Sequence, residues 1–149
     1  MRMGSLRNAS MCKVTMEEDL KRIRLVFERL DKSGMPVSFQ DFPLGACGDT
    51  CQVLAEILTE FGHGEFRYIE GQREDGKGHA WLEQGGMFID ITADQFDEVS
   101  EPVYLGPPNS WYHQFGIENE YIAGFRELDA ESAVELSTIL SEARAELNK

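Results

Sequence analysis

The sequence contains three cysteines that are candidate nucleophiles, Cys12, Cys47 and Cys51. Cys47 follows Gly45-Ala46 at the predicted start of a helix, where unpaired N–H groups and the helix dipole stabilise a thiolate. Its own N–H can also bind an oxyanion there. Cys51 lies one turn deeper, where the field is weaker and packing in the core is the usual role of a free cysteine. We therefore expect Cys47 to be the nucleophile, against the alternative that both cysteines are small core residues.

A base for this thiol is predicted in a β-hairpin. Residues 79–84 and 87–92 flank Gly85-Gly86, a favoured two-residue connection. The resulting register places His79 and Asp90 on one face as diagonal neighbours, close enough for a carboxylate to orient an imidazole. A shift by one residue would leave Asp90 on an apolar face, which is costly. The residues therefore predict a Cys47–His79–Asp90 triad.

The elements that must position these residues are helices and short strands. Thr15 and Glu18 form a predicted capping box, followed by an apolar stripe at helical spacing. Further helices are predicted over residues 47–61 and 130–148, the latter capped by Asp129. Segments rich in strand formers are residues 66–70, the hairpin, and residues 102–105, and a single helical turn is expected at 93–97. We predict one α+β domain over residues 15–149, preceded by a flexible arm at 1–14.

Three stretches, GACGDTCQVLAEILTEFG, GHAWLE and MFIDITADQF, together resemble the transglutaminase-like branch of the papain-fold cysteine enzymes. The resemblance covers residues 45–96, with Cys, His and Asp in the family's order. Asp90-Ile91-Thr92 stands where that family commonly has Asp-Pro-Thr, so the proline is missing. The resemblance implies an α+β papain-like, transglutaminase-like core, with the catalytic Cys at the N-terminus of a helix packed on a small antiparallel sheet. The N- and C-terminal helices are additions to that core.

The resemblance also implies roles for individual residues. Cys47 is the nucleophile, His79 the general base and acid, and Asp90 the residue that orients His79. A thiolate attacks an amide, its oxyanion is held by the Cys47 N–H and a second donor, and His79 protonates the leaving amine. Gln40 is the only Gln or Asn shortly before the nucleophile, so it is the candidate second donor or else a solvated loop residue. Candidate residues lining a cleft are Trp81, Trp111, Tyr112 and His113, which otherwise cover the core.

Composition restricts the classes of partner. The 149 residues include 14 basic and 27 acidic ones, a net charge of −13, which repels phosphate backbones and argues against nucleic acid. No apolar run is long enough to cross a bilayer, so no membrane is expected. An odd number of cysteines and no Sec-type signal favour a reducing, cytoplasmic location, with dedicated export left open. His63 is expected in an exposed turn. We expect no cofactor and no metal; a zinc site on Cys47, Cys51 and His79 lacks a second paired ligand set.

Three functions follow from these observations. The first is an enzyme that performs thiol-dependent acyl transfer on a peptide or protein amide, as a peptidase, amidase, glutamine deamidase or transglutaminase. The second is an interaction module that retains the fold with a retired site. The third is a secreted effector or toxin using the same chemistry. The substrate and the oligomeric state do not follow from the sequence.

Overall fold

The computed structural model describes the backbone of residues 3–149 and the side chains of residues 15–149. In this range the helices are α1 (Met3–Arg29), α2 (Val37–Gln40), α3 (Cys47–Glu60), α4 (Ser110–His113) and α5 (Ala130–Leu147). The strands are β1 (Arg67–Gln72), β2 (Gly78–Gln84), β3 (Met87–Asp90), β4 (Tyr104–Gly106) and β5 (Gly116–Ile122). They form one sheet in the order β4-β3-β2-β1-β5, with every neighbouring pair antiparallel. The predicted α+β class is confirmed.

Helix α1 begins earlier than its capping signal indicates. Thr15 was predicted to cap the helix, but α1 starts at Met3, so Thr15 is an interior residue. The apolar stripe C-terminal to it behaves as predicted, because Leu20, Ile23 and Phe27 are fully buried. The flexible arm predicted over residues 1–14 stays a prediction, since residues 1–2 and all side chains up to residue 14 lie outside the described part of the chain.

The sheet separates two hydrophobic clusters. The larger cluster lies between the helices and one sheet face, where Ala80, Leu82 and Ile89 meet the apolar sides of α1, α3 and α5. The smaller cluster covers the opposite face and is mostly aromatic; its buried members are Ile69, Trp81, Phe96, Tyr112 and Phe115. The odd-numbered residues of β2 therefore face the aromatic cluster and the even-numbered residues face the helices, as alternation along a strand requires.

The register of the β2–β3 hairpin is the predicted one. Gln84 pairs with Met87 and Leu82 with Ile89, around a turn in which Gly85 and Gly86 both have positive φ. A two-residue turn of this kind needs φ > 0 at both central positions, which glycine adopts without strain. The hairpin face that carries His79 and Asp90 is packed against aromatic rings, because residues 96–115 fold over it.

Other elements differ from expectation in extent. Helix α3 matches residues 47–61 closely and ends where Gly62 takes a φ of +92°. Asp129 caps α5 by accepting a hydrogen bond from the Ser132 N–H, as predicted. Strand β5 was not predicted: it is an edge strand whose first six residues are exposed, so its sequence lacks the apolar alternation that marks a half-buried strand. In the described residues, no helix is both long and apolar enough to cross a membrane.

Candidate active site

His79 and Asp90 form a buried hydrogen-bonded pair. The distance between His79 Nε2 and Asp90 Oδ2 is 2.7 Å, and the side chains are 0% and 1% exposed. Asp90 is the last residue of β3, next to the β2 strand that carries His79. The contact between these side chains that the hairpin register predicts is therefore present.

The Asp90 carboxylate has a full set of hydrogen-bond donors. Oδ2 accepts from the Tyr112 hydroxyl at 2.8 Å in addition to His79, and Oδ1 accepts from the Thr92 N–H at 2.9 Å. Burial by itself raises the pKa of Asp90, but the imidazole of His79 and these donors outweigh it, and the pKa lies below its ordinary value. Asp90 is therefore an anion in the folded protein at neutral pH.

Cys47 lies beside the imidazole at the first position of α3. Because Nε2 is paired with Asp90, a hydrogen bond between the ring and the thiol can involve only Nδ1, which also lies 3.2 Å from the amide nitrogen of Gln95. The first N–H groups of an α-helix have no partner within the helix, so the Cys47 N–H is free to bind an oxygen. Cys47 is only partly buried, whereas Cys51 is 4% exposed and belongs to the larger hydrophobic cluster. Burial raises the pKa of the Cys51 thiol well above its ordinary value, which is the behaviour expected of a packing residue.

The environment of His79 favours its protonated form. Burial lowers the pKa of the imidazole, but the charge and hydrogen bond of Asp90, reinforced by Cys47, raise it to about 9. An imidazolium beside a thiol stabilises the thiolate, since the opposite charges attract in a site of low dielectric. The arrangement thus places a protonated imidazole beside the side chain of Cys47.

Gln95 is a polar residue of the site that the sequence analysis missed. It lies in the 3-10 turn Ala93–Gln95 that follows β3. Its amide oxygen accepts a hydrogen bond from the Gly45 N–H at 3.1 Å, and its amide nitrogen lies 3.2 Å from His79 Nδ1. Gln95 therefore joins the loop that precedes the candidate nucleophile to the ring of the candidate base.

Arg24 of α1 fixes the turn between Asp90 and Gln95. Its guanidinium makes two hydrogen bonds to the Asp94 carboxylate, at 2.7 and 2.9 Å, and one to the Ile91 carbonyl at 2.7 Å. Paired hydrogen bonds of this kind set the orientation of both partners. Arg24 is only 6% exposed, so a buried cation anchors the segment that places Asp90 and Gln95 around the imidazole.

Gln40, the predicted second oxyanion donor, is engaged within its own segment. Its amide nitrogen donates to the Met35 carbonyl at 2.9 Å, and its side chain is exposed at the end of α2. The glutamine that contacts the His79 ring is Gln95 instead. The oxyanion role of Gln40 stays a prediction without support from this geometry.

The residues predicted to line a cleft lie on the aromatic side of the sheet. Trp81, Tyr112 and His113 line a groove of about 500 Å³, with Trp81 and Tyr112 forming its buried floor. Trp111 is not among the lining residues: its ring centroid lies 5.5 Å from that of His79, and its indole N–H donates to Glu98. Cys47, His79 and Asp90 do not line this groove either, so it is separate from the three candidate catalytic side chains.

Two further expectations concern the other histidines and a metal. His63 was expected in an exposed turn, but its side chain is 6% exposed and its Nε2 lies 2.8 Å from Asp19 Oδ2 of α1. That prediction is wrong, because α1 packs over the end of α3 and supplies a carboxylate. Among the side chains of residues 15–149, no group of three or more His, Cys, Asp or Glu is placed to hold a metal ion.

Comparison with known proteins gives no relative. No protein-family model matches the chain, and neither the curated proteins nor the solved structures provide a significant match. The functional argument therefore depends on the geometry of the site.

Proposed function

We propose that this chain is a cysteine-dependent enzyme that transfers the acyl group of an amide, with Cys47, His79 and Asp90 as its catalytic triad. The observation that carries the proposal is the buried His79–Asp90 pair at 2.7 Å, which lies beside a partly buried cysteine at a helix N-terminus. An activated nucleophile requires a base within reach and a third group that orients the base. The transglutaminase-like, papain-like core that the sequence resembles has the same order of elements, and we propose it as the ancestry of the fold.

The chemistry assigns a step to each residue. The Cys47 thiolate forms a bond to the amide carbon, and the electron pair of the C=O double bond moves to oxygen, which the Cys47 N–H binds. The tetrahedral intermediate collapses as the C–N bond breaks, and His79 gives its proton to the departing amine. A thioester on Cys47 remains. Water or another amine then attacks it, with His79 taking the proton, and the thiolate is released.

The nature of the substrate follows from the same chemistry. The leaving group is an amine and the electrophile an amide, so a peptide bond or a glutamine side chain of a peptide or protein is the proposed substrate class. A thiolate of this kind remains active in a reducing compartment, and we propose the cytoplasm as the place where it acts. No cofactor takes part in the proposed steps.

The experiment that tests the proposal is the rate of iodoacetamide alkylation at each cysteine, followed by mass spectrometry as a function of pH. An ordinary thiol, with a pKa near ~8.5, is almost fully protonated at about pH 6 and reacts slowly. We expect Cys47 to react fast at that pH and His79→Ala to slow it on the order of 100-fold. Cys51 serves as the internal control and should react slowly in both proteins.

Loss of the His79 dependence would contradict the proposal. If Cys47 in the wild-type protein reacts no faster than in His79→Ala, the pair does not activate the thiol, and an interaction module with a retired site becomes the better interpretation. If Cys47 is activated, a screen of peptide and glutamine amides should yield an activity that Cys47→Ala abolishes while the far-UV circular dichroism stays unchanged.

A further inference from the structure

The Gln95 side chain has its orientation fixed by its two neighbours. The Gly45 N–H can only donate a hydrogen bond, so the amide atom 3.1 Å from it is the oxygen. The other amide atom, 3.2 Å from His79 Nδ1, is then the nitrogen, which can only donate. Nδ1 must accept this hydrogen bond, and the ring proton of neutral His79 resides on Nε2, where it is donated to Asp90.

We propose that Gln95 is a positioning residue that holds the neutral His79 ring with Nδ1 as an acceptor and ties that ring to the Gly45 loop ahead of the nucleophile. The proposal goes beyond the triad and rests on the proposed function for its catalytic meaning. It assigns to Gln95 a hydrogen bond that exists only while Nδ1 carries no proton.

This hydrogen bond opposes the imidazolium. When Nδ1 gains a proton it becomes a donor, and the Gln95 amide then presents a second donor to it, so the contact turns from favourable to unfavourable. Asp90 and the Cys47 thiol act in the other direction, because both favour the protonated ring. Gln95 thus lowers the pKa of His79 relative to the value that Asp90 and Cys47 alone would set. The ring therefore remains able to accept a proton in the steps in which it acts as a base.

Among the side chains of residues 15–149, two ionisable groups act directly on the His79 ring. The titratable groups that face the His79 ring are Cys47 of α3 and Asp90 of β3. The Tyr112 hydroxyl acts on the ring only indirectly, because it donates a hydrogen bond to Asp90. The remaining neighbours are aromatic rings with centroids within 6 Å, namely Trp81, Phe96, Trp111 and Phe115. A change at Gln95 should therefore appear directly as a change in the measured pKa of His79.

The test uses the full chain in a Cys47→Ala background, which removes the thiol from the titration. The pKa of His79 is measured by NMR in this background, and then with Gln95→Leu or Gln95→Glu added. Leucine removes the donor and the bond to Gly45; glutamate keeps an acceptor for Gly45 and presents a carboxylate to Nδ1. We expect the pKa to rise by about half a unit to one unit with leucine, and further with glutamate. Gln114→Leu, an exposed glutamine in α4's C-cap, is the matched control and should leave it unchanged.

The opposite sign would overturn the proposal. A side chain that only fills space would lower the His79 pKa on replacement by leucine, because an apolar neighbour disfavours the charged ring. An unchanged pKa in both variants would equally show that Gln95 does not act on the ring. If either variant fails to fold, ¹⁵N NMR of the Cys47→Ala protein decides: neutral His79 should carry its proton on Nε2, and a proton on Nδ1 refutes the assignment.

These outcomes are separable from failure of the proposed function. The triad fails if wild-type Cys47 alkylation does not depend on His79, whatever the Gln95 variants do. The inference on Gln95 fails if alkylation depends on His79 while the order of pKa values among the Gln95 variants is absent.

Discussion

The Asp90 carboxylate is hydrogen-bonded on both of its oxygen atoms. It accepts hydrogen bonds from the ring of His79, the hydroxyl of Tyr112 and the backbone of Thr92, all within the protein interior. Burying an ionised carboxylate without such partners costs several kcal/mol of folding free energy. Each donor therefore helps Asp90 to remain ionised in the interior. The site is therefore a buried His79–Asp90 ion pair next to Cys47, which is only partly buried.

The charge of Asp90 should set the protonation of its partner. Asp90→Asn preserves shape and removes the carboxylate that raises the His79 pKa. We expect that pKa to fall from about 9 to below its ordinary value of 6.5, because burial then acts without opposition. Alkylation of Cys47 at about pH 6 should slow at least about tenfold. Exposed Asp97→Asn is the control; an Asp90→Asn protein with wild-type Cys47 reactivity would remove Asp90 from the mechanism.

The Tyr112 hydroxyl should contribute measurably to stability. Tyr112→Phe deletes one donor to Asp90 Oδ2 and keeps the ring, which is 3% exposed. A hydrogen bond to a charged group contributes about 1.5–3 kcal/mol, and we expect the free energy of unfolding in urea to fall by about that amount. Tyr104→Phe removes a hydroxyl that donates to the Pro107 carbonyl at the surface and should cost less. Equal losses in the two variants would show that the Tyr112–Asp90 contact is energetically unimportant.

At the scale of elements, the site is assembled by a hairpin, a turn and a helix end. The hairpin supplies His79 and Asp90, the turn Ala93–Gln95 supplies Gln95, and α3 supplies Cys47. None of these makes the site alone. Their relative positions depend on α1, because Arg24 ties that helix to the turn.

Removing the Arg24 contact should therefore loosen the site from a distance. Arg24→Met leaves the Asp94 carboxylate without its cation in a poorly solvated position, and we expect a loss of about 3 kcal/mol in the free energy of unfolding. Arg29→Met, at an exposed position of the same helix, should change it by less than about 0.5 kcal/mol. A double-mutant cycle with Asp94→Leu should recover part of the loss. Additive losses in that cycle would contradict a direct Arg24–Asp94 coupling.

The hairpin was predictable because its information is local. Gly85-Gly86 fixes the turn, the turn fixes the register, and the register brings His79 to Asp90 across 11 residues. Cys51 was likewise placed in the core by its position in α3. The same local reasoning failed for His63, whose partner Asp19 comes from a helix 44 residues earlier.

Other parts of the structure carry no local signal. Gln95 lies in a short irregular turn, and its contact with Gly45 spans 50 residues, so no periodicity or spacing indicates it. The first six residues of strand β5 are exposed, so no alternation of buried and exposed residues marks its pairing with β1 in the sequence. The aromatic cover over His79 depends on how residues 96–115 return across the sheet, which is a property of the chain path.

At the scale of the whole molecule, the titration of the site should appear in the pH dependence of stability. A pKa raised from 6.5 to about 9 in the folded state stabilises the protein fully below 6.5, and this stabilisation is lost as pH rises through about 9. Asp90, with its lowered pKa, contributes stability that is lost only as pH falls below its ordinary value of 3.8. The His79–Asp90 pair therefore favours a stability maximum on the acidic side of neutral.

Urea unfolding across this range tests the linkage. We expect the free energy of unfolding to decrease by up to about 3 kcal/mol between pH 6.5 and 9, and His79→Gln to flatten that slope. The net charge of −13 adds a repulsion that both proteins share, so the difference between them isolates the histidine. If the two proteins give parallel curves, folding does not raise the pKa of His79.

The aromatic cover has a consequence for how such a protein can diversify. Its four rings outside the strands, Phe96, Trp111, Tyr112 and Phe115, all come from residues 96–115, whereas the helical core draws on both ends of the chain. Substitutions within residues 107–115 would reshape this face of the sheet, whereas Val103 and Leu105 earlier in the stretch pack against the helical core. We expect homologous chains to differ most in this segment. Mutations in these few residues would then change substrate preference without changes elsewhere in the chain.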